Sequence, residues 1–270
     1  MFSLLRSNSL KRFSLHSHDI DQDVLREMYR LYVRYVDGPQ RFQDFCRYIQ
    51  LFKYASIYRD RASGGLRGMS FLDVQPKSFH VDDSGKLYHC RVVKGAATYF
   101  QEEYHGHSSV YYKYRTALFI KEKLLHPFTP LYIGGMFFTY KLYLVSTKLF
   151  KNCYPRYDAE TPDLYKNLIS QYASSSLDEG EVFDEEKGLV IQSLSFVKDH
   201  VAPITDTDLS NPHIEFYARS NPHWKDGNAL VAVAKVTWGD IFLRMIPFIF
   251  RRWIRRWFNF NKKTSLSYVH

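Results

Sequence analysis

The sequence predicts an α/β protein in which a mixed central sheet is flanked by helices. Between residues 54 and 150 the apolar pattern changes repeatedly between the period of a strand and that of a helix, which favours an α/β sheet. The chain contains 21 Tyr and 21 Phe among 270 residues, a content that suits strands and pockets. Charged residues at 24% and hydrophobic residues at 45% exclude a wholly disordered chain.

The first hundred residues predict two helices followed by three strands. Asp19 or Asp21 can cap the first helix, and Pro39 opens the second. The predicted elements are a helix at 19–36, a helix carrying Phe42, Phe45, Cys46 and Ile49, and strands at 54–59, 66–74 and 86–100. Gly95 marks a candidate β-bulge in the last and longest of these strands.

The remainder of the chain continues the alternation. The predicted elements are helices at 110–125, 140–150 and 161–173, and strands at 131–138, 189–197, 214–219 and 229–236. The acidic, serine-rich segment 174–187 predicts an exposed loop. The most apolar stretch, 130–145, is shorter than the about 20 residues of a membrane span and contains Lys141, so we interpret it as a strand followed by a helix.

The net charge of +9 is unevenly distributed along the chain. The segment from Asp158 to Asp208 contains twelve acidic residues and three lysines, so the rest of the chain is strongly basic. A basic body attracts the phosphates of a cofactor, a membrane surface or a nucleic acid. The predicted organisation is a basic N-terminal segment at 1–18, a core at 19–157, acidic loops with the remaining strands at 158–236, and a basic helix and tail at 237–270.

The three cysteines predict neither a disulfide framework nor a zinc site. Cys46, Cys90 and Cys153 are far apart and lack the CxxC spacing, which favours three buried thiols in a reducing compartment. His105 and His107 would need further metal ligands that the sequence does not identify, so no metal is predicted.

The first eighteen residues leave three interpretations open. The segment lacks acidic residues, is rich in serine and carries three basic residues among apolar ones. This composition fits a mitochondrial presequence, a short surface-seeking helix or a frayed terminus. We therefore expect a cytoplasmic protein at a membrane periphery, or a mitochondrial one if the segment is a presequence.

The segment from Phe100 to Ser109 joins the long strand to a helix. Gly106 lets the backbone turn tightly, so that successive N–H groups at the helix N-terminus can hold a pyrophosphate. The alternative is an ordinary turn capped by Ser108 or Ser109. The candidate cofactor-binding residues are Phe100, Tyr104, His105, Gly106, His107, Ser108 and Ser109.

This segment and the order of elements around it resemble the GNAT acyltransferase superfamily. The corresponding stretch of that family is approximately Pro-Glu-Tyr-Arg-Gly-x-Gly, matched here by Glu103, Tyr104 and Gly106. His105 replaces the basic residue, and Ser108 stands in place of the second glycine. The resemblance implies a GNAT-like fold over residues 19–157, in which the long strand is splayed and the donor is acetyl-CoA, another acyl-CoA or an acyl-carrier thioester.

The resemblance also directs attention to two pairs of candidate catalytic residues. Glu102 and Glu103 lie at the end of the splayed strand and are candidate bases, or exposed carboxylates before a helix. Tyr140 and Tyr143 lie on the helix that supplies the acid for the leaving thiolate in many GNAT members, and a packing role is the alternative. Ser146 takes approximately the place of that family's tyrosine.

The clearest physical pattern is a basic amphipathic helix near the C-terminus. Apolar and aromatic residues form one stripe and arginines lie largely opposite, which is typical of a helix at a membrane interface. The candidate membrane-binding residues are Phe242, Ile246, Ile249, Arg251, Arg252, Trp253, Arg255, Arg256 and Trp257. Packing of the stripe on the domain is the alternative, and nucleic-acid binding is disfavoured because no recognition motif is present.

Together these patterns predict a transferase. The first hypothesis is a peripheral membrane acyltransferase that moves an acyl group from acyl-CoA or a carrier thioester to an amine. The alternative is a catalytically inactive GNAT-like scaffold that binds a membrane or a protein partner.

Overall fold

A mixed sheet of nine strands runs through the computed structural model. The structure describes residues 10–37, 41–80, 87–104, 109–177, 180–191, 196–198, 200–252 and 254. In chain order the strands are β1 Leu10–His16, β2 Val36–Asp37, β3 Tyr54–Asp60, β4 Leu66–His80, β5 Leu87–Phe100, β6 Leu131–Phe137, β7 Cys153–Tyr154, β8 Val182–Asp184, β9 Leu189–Ile191, β10 Phe196–Val197 and β11 Ala229–Lys235. Their order in the large sheet is β1-β3-β4-β5-β6-β11-β9-β8, with β7 also paired to β11, while β2 and β10 form a separate pair.

Seven helices precede a C-terminal one within the described ranges. They are α1 Gln22–Tyr32, α2 Phe42–Gln50, α3 Ser109–Leu125, α4 Tyr140–Leu149, α5 Asp163–Ser174, α6 Asp206–Leu209 and α7 Pro212–Ser220. The C-terminal helix covers 238–252 and is π-helical at Asp240–Met245. No helix in the described ranges is both long and apolar enough to span a membrane.

The direction of the strands confirms the predicted fold class. β5 and β6 run parallel, whereas the other strand pairs that the structure describes run antiparallel. Helix α3 connects the parallel pair, as a parallel connection requires a crossover. The result is a mixed central sheet with helices on both faces.

Alternation along the strands divides the core between these faces. Along β4, Phe71 packs on α1 and α2, whereas Leu72 packs on α3. Along β5, Val92 packs on α5, whereas Val93 packs on α3. Val92 lies opposite Gln75, which is four residues from Phe71 on β4, so Val92 and Phe71 are on the same face of the sheet. Helices α1, α2 and α5 therefore share this face, which we call the α5 face. Helices α3, α4, α7 and the C-terminal helix cover the α3 face.

Some sequence predictions about secondary structure are wrong. The predicted loop 174–187 contains β8, because residues 182–184 pair with 189–191, and the predicted strand 189–197 is two strands, β9 and β10, in different sheets.

The expected strand at 214–219 is helix α7, because the Asn211 side chain accepts from the His213 N–H and Pro212 occupies the first turn. Residues 10–16 are neither a surface helix nor a frayed end but strand β1, which pairs along its length with β3. Residues 1–9 lie outside the described ranges.

Candidate functional site

The parallel strands β5 and β6 separate in the middle of the sheet. They pair only from Arg91 opposite Leu131 to Lys94 opposite Gly134, although β5 continues to Phe100 and β6 to Phe137. Beyond this point β5 remains paired with β4 on its outer side, and β6 remains paired with β11. The two inner edges therefore face each other without a ladder, and their peptide groups can hydrogen-bond an extended guest.

A β-bulge lies where the separation begins. Thr98 is opposite Ser70, but Gly95 is opposite Leu72, so β5 has one residue more than β4 over this stretch. A bulge bends the strand that carries it and increases its twist, which turns the end of β5 away from β6. The bulge predicted at Gly95 is thus confirmed.

Glycine allows the two strands to approach closely at their last pair. A Cβ on Gly95 would lie 3.3 Å from the carbonyl oxygen of Gly134. On the α5 face, a Cβ on Gly134 would lie 2.4 Å from the ring of Tyr172. The Tyr172 hydroxyl donates to the Gly95 carbonyl at 3.4 Å, so the side chain spans the point of separation. Burial raises the pKa of Tyr172, which keeps this hydroxyl protonated as a neutral donor.

A groove of about 450 Å³ on the α5 face leads to Tyr172. Its walls are the last turns of α5 and the strands below them. Lys77 and Ser78 lie at its β4 side, and Val92 and Val233 belong to the strands beneath α5. The groove therefore gives a solvent path along α5 toward the separating strands.

A pair of oppositely charged residues lies beside the separation. Asp73 of β4 is directly opposite Lys94 of β5, the last residue that pairs with β6. Both belong to the α5 face, and the Lys94 ammonium lies 5.5 Å from the ring centroid of Phe52. The two Asp73 oxygens accept from the Val74 N–H and the Gln75 side chain, each at 2.9 Å.

Sequence reasoning missed Asp73 because it is about thirty residues before the glycine segment, a distance that only strand pairing closes. One signal was available, namely a single carboxylate within the otherwise apolar run Phe71-Leu72-Asp73-Val74. A carboxylate within a predicted strand needs a partner or a role.

The predicted bases lie further along β5. Glu102 and Glu103 are exposed in a short 3-10 turn immediately after the strand. Tyr35 is nearby, since its hydroxyl donates to the Phe100 carbonyl at 2.7 Å, and its pKa is raised by burial and by the negative charge of Glu102. These carboxylates are therefore at the end of the splayed strand, and their role as bases stays a prediction.

Two of the predicted cofactor-binding residues are buried. Phe100 packs on Tyr58 with ring centroids 4.8 Å apart, and the Tyr104 hydroxyl donates to Asp60 at 3.4 Å. Ser109 begins α3, but its side chain is outside the described set, as are His105, Gly106, His107 and Ser108. Pyrophosphate binding by this segment stays a prediction.

The predicted acids on α4 lie on the α3 face. Tyr143 is fully buried, its hydroxyl donates to the Pro155 carbonyl at 3.0 Å, and burial raises its pKa. Tyr140 is hydrogen-bonded to Asp208, and burial followed by that carboxylate's charge raises its pKa. Both rings belong to a cluster between α4 and α7, opposite the groove, so packing alone accounts for their positions. Protonation of a thiolate by either stays a prediction.

The cysteines do not offer a nucleophile. Burial raises the pKa of Cys90 to about 11 and that of Cys153 to about 12, and it also raises the pKa of the partly buried Cys46. We expect the native protein at pH 8 to react with Ellman's reagent at Cys46 at most, and the unfolded protein to react at all three thiols. Rapid native reaction of two or more thiols would contradict this assignment.

Metal chemistry finds no support among the residues described. No group of three or more His, Cys, Asp or Glu side chains there has a metal-binding arrangement. His105 and His107 are outside that set.

Comparison with known proteins gives weak likenesses to solved structures, among them two toxins. No family model and no curated protein matches the chain. A mutant of the toxin AtaT, solved with the C-terminus of the antitoxin AtaR and acetyl-CoA, is 13% identical over 52% of this chain and 82% of that one, with a TM-score of 0.31. A structure described as a bacterial toxin is 10% identical over 47% of this chain and 73% of that one, with a TM-score of 0.29. Because both TM-scores are below 0.5, the fold assignment rests on the strand order and pairing given above.

Proposed function

We propose that this protein transfers an acyl group from acyl-CoA, or from a carrier thioester, to an amine. The separation of β5 and β6 carries the proposal. The arm of such a donor is an extended chain with two amide groups, which can hydrogen-bond to facing strand edges as a peptide does.

The gap also supplies elements of the chemistry. An amine that attacks a thioester produces an oxyanion, which backbone N–H groups on an unpaired strand edge can stabilise. The bulge at Gly95 lies beside Tyr172, which lines the groove, and this position supports that role. The family resemblance implies that residues 105–109 bind the diphosphate of the donor. This part of the proposal rests on the sequence, because the side chains of these residues are outside the described set.

Thermal unfolding with a panel of ligands tests the donor site. Acetyl-CoA, octanoyl-CoA and palmitoyl-CoA at about 100 times their Kd should each raise Tm by roughly 5–10 °C if they bind only the folded state. ATP is the control, because it shares the adenine and phosphates but lacks the thioester arm. No shift with any thioester, or an equal shift with ATP, would contradict the proposal and favour the inactive scaffold.

The second part of the proposal is that this activity takes place at an anionic membrane surface. The C-terminal helix exposes apolar side chains that we call the docking surface: Trp238, Phe242, Leu243, Ile246 and Phe250. Leu243 is 77% exposed, and Phe242 and Phe250 are each 55% exposed. Burial of such side chains in lipid is favourable at roughly 25 cal/mol per Å².

The helix packs on the domain by a different side from the docking surface. Ile241 and Met245 are buried in the core with α3 and α4 residues, and Arg252 stacks on Tyr112. Ile249 of the predicted stripe also packs against that core, whereas Phe242 is exposed. The π-helical stretch Asp240–Met245 has more residues per turn than an ideal helical wheel assumes, so the predicted stripe is divided between two sides.

Charge favours a membrane as the occupant of the docking surface. Among residues 238–252 the acidic residue is Asp240, which is buried and accepts from the Lys151 N–H and from Thr237. Of the arginines in this stretch, Arg244 donates to the Lys148 carbonyl and Arg252 stacks on Tyr112, whereas Arg251 is exposed. Apolar rings beside arginines suit the headgroups of an anionic bilayer. The other predicted membrane residues, Trp253, Arg255, Arg256 and Trp257, lie outside the described ranges.

A further inference from the structure

We infer that the groove along α5 binds the acceptor, as an amine joined by an aliphatic chain to an anionic group. The amine lies toward Asp73 and the anion toward Lys77. This inference rests on the proposed acyl transfer and adds the substrate class and the proton acceptor.

The positions of the two charged residues set the length of the acceptor. Asp73 and Lys77 are four residues apart on β4, and both side chains are on the α5 face. Four residues of strand rise about 13 Å, so a molecule held between the two side chains has an amine about 10 Å from its anion.

The groove between these ends suits an alkyl chain. Val92, Leu168 and Val233 provide apolar lining, while Lys77 provides a cation toward the β4 side. Tyr172 also lines the groove and contacts the strands where they separate. An acceptor that follows this path brings its amine to the donor gap.

Asp73 is placed to accept the amine's proton. It lies opposite Lys94, which is the last residue of β5 that pairs with β6. The amine nitrogen forms a bond to the thioester carbon, and the carboxylate of Asp73 takes one proton from that nitrogen, directly or through a water. The carbon–sulfur bond then breaks, and the departing thiolate takes up one proton, so that amide and free thiol are the products.

Paired probes test the acceptor class. With acetyl-CoA as donor, ω-aminooctanoate should release free thiol with a kcat/KM about tenfold above that of ω-aminooctanol, the effect of one hydrogen bond to a charged group. Lys77→Met should remove this preference, whereas Lys225→Met, an exchange at an exposed residue outside the groove, should retain it. Equal use of the two amines by the unmodified protein would overturn the inference.

Asp73→Asn tests the proton acceptor. It should lower kcat about a hundredfold at neutral pH, while the Tm shift with acetyl-CoA is kept. Asp163→Asn, at an exposed position at the start of α5, is the matched control. A kcat unchanged by Asp73→Asn would overturn this role.

Failure of this inference is distinguishable from failure of the proposed function. Without donor, ω-aminooctanoate should raise Tm more than ω-aminooctanol, and Lys77→Met should abolish the difference. If acetyl-CoA raises Tm but the two amines do not differ, the donor site stands and the acceptor assignment is wrong. If the amines differ but no thioester binds, the groove is a binding site for ω-amino acids and acyl transfer is wrong.

Discussion

Replacing Gly134 with alanine is expected to destabilise the fold by about 1–3 kcal/mol, lowering Tm by roughly 2–10 °C, and to abolish transfer from a thioester donor. The added Cβ would lie 2.4 Å from the Tyr172 ring, whose position is fixed between β6 and the Gly95 carbonyl. The ring has to move, and it is part of the junction between groove and donor gap. Thermal unfolding and thiol release from acetyl-CoA measure the two effects.

Two further variants separate steric conflict from a general effect of the exchange. Gly65→Ala is the matched control, since its Cβ would meet only ordinary contacts, the closest at 3.5 Å. Combining Gly134→Ala with Tyr172→Leu should be less destabilising than the sum of the single changes, because the smaller side chain removes the conflict. Additive losses in Tm, or an unchanged Tm for Gly134→Ala, would show that the ring does not lie where we place it.

Replacing Phe242, Leu243 and Phe250 together with serine is expected to weaken binding to anionic vesicles more than about a hundredfold. The three side chains are exposed, so the exchange removes lipid contacts with little effect on the core. Flotation with vesicles of phosphatidylcholine and phosphatidylglycerol measures the change. Vesicles of phosphatidylcholine alone should bind the unmodified protein more weakly, because the arginines then lack anionic lipid.

The control for this experiment replaces three exposed apolar side chains elsewhere. Leu51, Leu87 and Val182 are 53%, 48% and 46% exposed and belong to α2, β5 and β8 or their ends. Their joint replacement with serine should leave flotation unchanged. If the docking-surface variant floats like the unmodified protein, the membrane part of the proposal fails, and a protein partner becomes the candidate occupant of this helix face.

Local patterns in the sequence predicted most of the elements around the site. The two-residue period identified β3 to β5, the helical period identified α3 and α4, and Gly95 marked the bulge. The gap itself was implied only by family resemblance, because it depends on which strand lies beside β6. That neighbour is β11, and the pairing of Gly134 with Val233 cannot be predicted from a short stretch of sequence, because the two residues are far apart in the chain.

The errors also have local physical causes. The segment of α7 contains enough aromatic and β-branched residues to favour a strand. The Asn211 cap and Pro212 in the first turn favour a helix instead. The C-terminal stripe was drawn on an ideal wheel, and the π-helical stretch changes which side chains face the core.

The pairing of β6 with β11 has a consequence for synthesis on the ribosome. Strands β1 to β6 and helices α1 to α4 emerge first, yet the outer edge of β6 gains its partner only when residues near Val233 follow. Until then the outer edge of β6 lacks its ladder, and the nascent chain carries an unpaired strand edge that is prone to wrong pairing. Strand β11, the last strand among the residues that the structure describes, thus completes both the sheet and the gap.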